Sequence, residues 1–148
     1  MNRNTFFLSM LIVIFLACAS QSFSQTYGKI FTNEEADNLF GKVLHSSSMP
    51  TQLVQELLNQ TNNYIMFRIE NNRVIVLDNK RNVLFPEGVL INSQDVFTVY
   101  AVQVLTELLN LGNSSEVKVE KRSEVLSISS GGYTMEVGAL CPPFCTND

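Results

Sequence analysis

Residues 64–78 read YIMFRIENNRVIVLD, and this stretch decides the fold class because it predicts a β-hairpin. Two runs rich in β-branched and aromatic residues, Tyr64–Glu70 and Arg73–Asp78, flank the pair Asn71-Asn72. Asparagine tolerates the left-handed backbone conformation that a two-residue hairpin turn requires. Apolar residues occur on both faces of the two strands, which predicts that the rest of the chain covers both faces at least partly.

Two short helices are predicted ahead of this hairpin. The stretch TNEE at residues 32–35 is typical of a capping box, in which the Thr32 side chain and the Glu35 carboxylate each accept a backbone N–H of the other residue. The serines at 46–48 are expected to end the first helix, and Pro50 suits the first turn of the second. The first helix has an apolar stripe formed by Ala36, Leu39, Phe40, Val43 and Leu44. The second has one formed by Leu53, Val54, Leu57 and Leu58.

A third and long helix is predicted from Asn92 or Ser93 to about Leu111, because valine, leucine and aromatic residues cover most of its circumference. Gly112 is expected to stop it. An antiparallel meander of three strands should follow, at about Glu116–Lys121, Glu124–Ser129 and Tyr133–Ala139. The predicted fold class is therefore α+β: the hairpin and the meander pack on a long central helix, with two short helices at the N-terminal side.

The predicted meander has one apolar and one polar face, which is the pattern of an antiparallel sheet half in water. The polar face carries Lys118, Glu120, Ser127, Ser129, Thr134 and Glu136. This face is a candidate contact surface for a partner, and plain solvation is the alternative interpretation.

The order of these elements resembles that of roadblock-like domains, within the broader profilin-like architecture. The resemblance covers roughly Leu53 to Leu140 and rests on the hairpin, on the run VFTVYAVQVLTELLNLG at residues 96–112, and on the meander. Roadblock-like domains are non-enzymatic modules that pair through the long helix and a neighbouring strand. The resemblance therefore implies a binding or assembly role and self-association, and it assigns no binding residue.

The N-terminal segment predicts export from the cytosol. Residues 6–18, FFLSMLIVIFLAC, form an apolar run that is too short for a membrane span and follows the single cation Arg3. We expect a secretory signal over residues 1–24, cleaved after Ala19 or after Ser24, and a single domain over residues 25–148. An uncleaved anchor is one alternative. Lipidation of Cys18 is the other, although Phe15-Leu16 is a poor match to a lipoprotein processing site.

The charge balance bears on the class of partner. The chain has 10 basic and 14 acidic residues, a net charge of −4, and loss of the signal would remove only Arg3 among its charges. A mildly acidic domain without a basic cluster argues against nucleic acid or anionic lipid as a partner. Contact with a membrane is expected only through the signal segment or through a lipid on Cys18.

The C-terminal stretch CPPFC at residues 141–145 is the richest in chemistry. In an oxidising compartment, Cys141 and Cys145 are expected to form an intrachain disulfide that closes a small loop. Thiol exchange, a soft-metal clip and pairing between chains are the alternatives. Exchange sites normally separate their cysteines by two residues rather than three, and a metal clip would need further ligands.

The sequence shows no recognisable set of catalytic, cofactor-binding or metal-binding residues. His45 lies just past the first helix and fits a surface or capping role. The run DNKRN at residues 78–82 has oxygen ligands at alternating positions, but it lacks the glycine and glutamate of a calcium loop and is interpreted as a solvated turn. We therefore expect an exported, non-enzymatic binding or assembly module of the periplasm, cell surface or medium. Its partner would be a protein or a second copy. The alternatives are a thiol-redox or soft-metal protein of the cell envelope and a secreted inhibitor or immunity protein.

Overall fold

The computed structural model describes residues 26–145. The strands are β1 (Lys29–Thr32), β2 (His45–Pro50), β3 (Tyr64–Glu70), β4 (Arg73–Asp78), β5 (Val83–Phe85), β6 (Phe97–Ala101), β7 (Glu116–Lys121), β8 (Leu126–Ser130), β9 (Tyr133–Glu136) and β10 (Ala139–Cys141). The helices are α1 (Asn33–Phe40), α2 (Thr51–Leu58) and α3 (Val102–Gly112). The expected signal segment over residues 1–24, including Cys18, lies outside the described residues.

The strands form two antiparallel sheets, so the predicted α+β class is confirmed. Sheet I has the order β1-β9-β8-β7-β2, and sheet II has the order β10-β6-β3-β4-β5. The meander is the centre of sheet I, with two N-terminal strands added at its edges. The hairpin is the centre of sheet II, with β5 on one side and β6, followed by the edge strand β10, on the other.

The hairpin forms as the sequence predicts. Strands β3 and β4 pair with Glu70 opposite Arg73, and both turn residues are left-handed, with φ of 47° at Asn71 and 64° at Asn72. Ile65 and Phe67 belong to the main core, whereas Met66, between them, belongs to a second core on the other face. Both faces of the hairpin are therefore buried, which agrees with its apolar residues on both sides.

The prediction of a long central helix is wrong. Residues 97–101 form β6, in the middle of sheet II between β10 and β3, and the helix occupies only Val102–Gly112. Every residue of β6 is buried because the sheet is covered on both faces. A strand buried on both faces reads as a continuous apolar run, and so does a buried helix. The helix follows the strand directly, so no turn residue separates them in the sequence.

The first helix is shorter than its apolar stripe predicts. The capping box at Thr32 and Glu35 is present, but α1 ends at Phe40. Of the five stripe residues only Ala36 is buried, and the side chain of Leu39 is 64% exposed. The serines expected to break the helix lie in β2, which pairs with β7 along its whole length. Backbone pairing with a neighbouring strand outweighs the weak local preference of this polar segment.

The main core lies between the inner faces of the two sheets and includes α2 and α3. Helix α2 buries Val54, Leu57 and Leu58, and α3 buries Val104, Leu105, Leu108 and Leu109. A second core covers the outer face of sheet II and is formed by Met66, Ile75, Leu77, Phe97, Val99 and Cys141. The cysteine pair is therefore attached to a hydrophobic core. No helix within residues 26–145 is long and apolar enough to cross a membrane.

Candidate functional site

The last described residues form a small covalent ring, the cysteine loop (residues 141–145). The ring begins at Cys141, the last residue of β10, and the sulfur atoms of Cys141 and Cys145 are joined at 1.90 Å. The backbone N–H of Phe144 donates to the carbonyl of Leu140 at 2.9 Å, which folds the loop back on the strand. Cys141 is fully buried in the second core, whereas Cys145 at the loop end is only partly buried.

A neighbouring turn between β4 and β5 aims a cation at this loop. The Asp78 carboxylate accepts the backbone N–H of Lys80 at 2.9 Å and that of Asn82 at 2.8 Å, and it also accepts the Asn82 side-chain amide at 2.7 Å. Arg81 adopts a left-handed conformation with φ of 66°. The segment expected to be a plain solvated turn is therefore held by a buried carboxylate, which fixes the direction of Arg81.

The Arg81 guanidinium contacts Cys141 directly. Its Nη1 donates to the Cys141 Sγ at 3.1 Å and to the Cys141 carbonyl at 3.3 Å. Its Nη2 donates to the carbonyls of Asn92 at 3.2 Å and Asp95 at 3.0 Å, and the group lies 5.5 Å from the Phe97 ring centroid. The ion pairs found within residues 26–145 do not include Arg81, and the Asp95 carboxylate pairs instead with Arg68 at 2.8 Å.

An apolar groove of about 440 Å³ opens beside the loop. We call it the C-terminal groove, and it is lined by Thr26, Tyr27, Val137, Gly138, Ala139, Leu140, Pro143 and Phe144. Three large apolar side chains on its walls are exposed: Val137 by 54%, Leu140 by 51% and Phe144 by 65%. Pro143 and Phe144 lie inside the covalent ring, so the disulfide limits how far this wall of the groove can move.

The polar face of the meander is covered by α1 rather than by water. Of the six side chains expected on an exposed contact surface, only Lys118 is exposed. The buried ones are Glu120, Ser127, Ser129, Thr134 and Glu136. Asn33 at the start of α1 accepts a hydrogen bond from the Thr134 hydroxyl at 2.8 Å and donates to the Gly131 carbonyl at 3.2 Å. The expected exposed face is therefore an internal polar layer.

A buried arginine lies at the centre of this layer, in what we call the Arg122 cluster (Asp37, Glu120, Arg122, Ser127 and Glu136). Arg122 is 1% exposed, and its Nε lies 3.0 Å from both the Ser127 hydroxyl and the Glu136 Oε1. Its Nη1 donates to Asp37 of α1 at 2.7 Å and also to the Gly41 carbonyl. The guanidinium thus connects α1 and the chain after it to three strands of sheet I.

Glu136 is the least satisfied member of the cluster. It is fully buried, its Oε1 accepts from Ser127 and Arg122, and its Oε2 has no hydrogen-bond partner within the described residues. Burial raises the pKa of this carboxyl above its ordinary value of 4.5, and the contacts with Ser127 and Arg122 offset that rise only in part. The folded protein therefore binds a proton at Glu136 more tightly than the unfolded chain does.

This raised pKa gives a pH-dependent contribution to stability. As the pH rises from about 4.5 through the folded-state pKa, the unfolded chain loses its proton first, so Glu136 lowers the free energy of unfolding. We expect Glu136→Gln to gain stability relative to the parent protein over this pH range. Urea unfolding at several pH values measures the difference, and Glu124→Gln at an exposed position is the control. A difference that is flat or falls with rising pH would contradict the assignment.

The other sequence candidates are not brought together into a site. His45 lies in β2, partly buried, and its Nε2 has no hydrogen-bond partner within the described residues. Residues 26–145 contain no group of three or more His, Cys, Asp or Glu placed to hold a metal ion. The residue that sequence reasoning missed is Arg81, because its contact with Cys141 joins positions 60 residues apart.

Comparison with protein-family models, with curated proteins and with solved structures finds no match. The resemblance to roadblock-like domains therefore rests on the sequence pattern alone. The run from Phe97 to Gly112, which supplied the long helix of that resemblance, is a strand followed by a shorter helix. The resemblance assigns no role to any residue of the cysteine loop or the C-terminal groove.

Proposed function

We propose that this chain is an exported, non-enzymatic binding module that takes a protein partner in the C-terminal groove. The apolar N-terminal segment and the cysteine pair support export. The observation that carries the binding proposal is the set of exposed apolar side chains on one groove: Val137, Leu140 and Phe144. Exposed apolar side chains that cluster, rather than lie scattered, are typical of an interaction site.

The lining of the groove favours a protein segment over a lipid surface or a nucleic acid. None of its lining residues carries a charge at neutral pH, and the chain as a whole has a net charge of −4. Anionic lipids and nucleic acids would be repelled by such a protein. An extended partner segment that presents apolar side chains fits a groove of this size and composition.

The disulfide contributes to this site by reducing the freedom of the wall that contains Phe144. A ring closed over a sequence separation of 4 restricts the backbone of Pro143 and Phe144. A side chain that is already ordered loses less conformational entropy when a partner binds. Phe144 is therefore the residue in the groove from which we expect the largest binding contribution.

The test replaces Phe144 with alanine. We expect the dissociation constant of the partner to rise about 30-fold, which corresponds to about 2 kcal/mol for the loss of a central aromatic anchor. The partner is first found by photo-crosslinking from position 144 in the native export fraction, and its affinity is then measured with purified components. Leu90→Ala is the matched control, because Leu90 is 96% exposed and does not line the groove.

Two outcomes would overturn the proposal. One is a partner that binds the Phe144→Ala and Leu90→Ala variants equally well. The other is crosslinking from position 144 that yields only adducts within the same molecule. If the crosslinked partner is a second copy of the chain, sedimentation should show a dimer that Phe144→Ala dissociates, and the module is then one of self-assembly.

A further inference from the structure

The two sulfur atoms of the cysteine loop have different surroundings. Cys141 is fully buried and lies 3.1 Å from the Nη1 of Arg81, whereas Cys145 also packs against the second core but is only partly buried. An attacking thiolate therefore reaches the Cys145 sulfur more easily than the Cys141 sulfur. The sulfur released by that attack is the one beside the guanidinium.

We propose that the Cys141–Cys145 disulfide is a thiol-exchange site, in addition to its role in the C-terminal groove. In this reaction the thiolate of a dithiol reductant attacks Cys145, the S–S bond breaks, and its electron pair leaves on Cys141 as a thiolate. The second thiolate of the reductant then attacks the reductant's first sulfur, which is bonded to Cys145 in the mixed disulfide, and releases the Cys145 thiolate. The reductant is oxidised to its disulfide, and the protein gains two electrons.

The position of Arg81 supports this direction of reaction. A neighbouring cation lowers the pKa of a cysteine thiol, and a thiol of lower pKa is a better leaving group in exchange. The Asp78 turn holds Arg81 in place before the S–S bond breaks, and the carbonyls of Asn92 and Asp95 keep its Nη2 oriented.

The first experiment uses the unaltered protein and a monothiol probe. The protein is exposed to reduced glutathione, quenched with acid and alkylated, and fragmentation mass spectrometry locates the glutathione. We expect the adduct on Cys145 and the alkyl group on Cys141, with a preference of about tenfold or more. An adduct mainly on Cys141, or a disulfide that glutathione and dithiothreitol leave unreduced in the folded protein, would overturn the proposal.

The second experiment compares Arg81→Gln with Arg81→Lys. Both variants replace one side chain that has a Cβ by another at the same left-handed position, so they share the same backbone strain. We expect dithiothreitol to reduce the Gln variant roughly three- to tenfold more slowly than the parent, and the Lys variant at nearly the parent rate. Equal rates of disulfide reduction in the folded Gln and Lys variants would show that the charge at position 81 plays no part in the exchange.

If the Gln variant does not fold, the site of the glutathione adduct in the unaltered protein decides. Neither measurement involves the groove partner, so failure here is distinct from failure of the binding proposal.

Discussion

Replacing Arg122 with alanine is expected to lower the free energy of unfolding by about 3–5 kcal/mol, the effect of removing one partner from a buried ion pair. The guanidinium is 1% exposed and lies 3.0 Å from the fully buried Glu136 carboxylate. Without it, Glu136 must either remain charged without its cation or take up a proton. Equilibrium unfolding in urea, with the disulfide intact, measures the change.

The same replacement also disconnects α1 from sheet I. Arg122 donates to the Asp37 carboxylate at 2.7 Å and to the carbonyl of Gly41, and both groups belong to the chain that covers the sheet. We therefore expect amide protection from hydrogen exchange to fall first in α1 and at Gly41, before the centre of sheet I is affected. This local effect separates the Arg122 cluster from a general loss of core packing.

Two variants control for this prediction. Lys118→Ala removes an exposed cation from β7, the strand that ends just before Arg122, and should change stability by no more than about 0.5 kcal/mol. Combining Arg122→Met with Glu136→Gln removes both charges, and the double variant should be more stable than the sum of the two single-variant effects predicts. An Arg122→Ala protein within about 1 kcal/mol of its parent would show that the cluster contributes little to stability.

The sequence predicts the fold best where the signal is local. The hairpin at residues 64–78 combines two runs of high strand propensity with a two-residue turn of asparagines, which tolerate the left-handed backbone conformation. Its strands pair in the register that such a turn requires. The capping box at Thr32 and the helix after Pro50 are similar cases. Each of these elements depends on contacts within a few residues, so the necessary information lies in a short stretch.

The failures occur where distant strands decide the outcome. Strand β6 lies between β10 and β3, and its partner residues in β10 are about 40 positions away in sequence. Its local pattern agrees equally with a buried helix, so only tertiary pairing distinguishes the two. The pairing of β7 with β8 shows a milder case. A two-residue turn at Arg122-Ser123 would place Lys118 opposite Ser127, whereas Glu120 lies there, a shift of two residues that leaves both faces of the sheet unchanged.

The polar layer could not be predicted from alternation alone. The meander shows one apolar and one polar face, which is the pattern of a sheet exposed to water. Here the polar face is covered by α1, whose Asn33 and Asp37 supply matching polar groups. A buried polar face becomes acceptable only when such partners are present. The candidate site could likewise be predicted only in part. The stretch CPPFC predicts the cysteine loop, but nothing near it in sequence indicates the contact with Arg81.

The second large effect on stability is expected at one of two leucines that both belong to predicted apolar helix faces. We expect Leu108→Ala to lower the free energy of unfolding by about 3 kcal/mol and Leu39→Ala to change it by less than about 0.5 kcal/mol. Leu108 of α3 is fully buried in the main core, whereas Leu39 of α1 is 64% exposed. The chemical change is identical, so urea midpoints at equal slope report only the difference in burial.

A comparable loss at both positions would contradict the structure in a specific way. It would mean that the stripe from Ala36 to Leu44 packs against the protein as a longer amphipathic helix, and β2 could then not pair with β7 through His45. A different result would place the exposed end of α1 at an interface. In that case Leu39→Ala changes the free energy of unfolding little without a partner, but Leu39 becomes protected from solvent when a partner binds. Leu108 separates these cases because both arrangements keep α3 in the core, so its cost stays at about 3 kcal/mol in each.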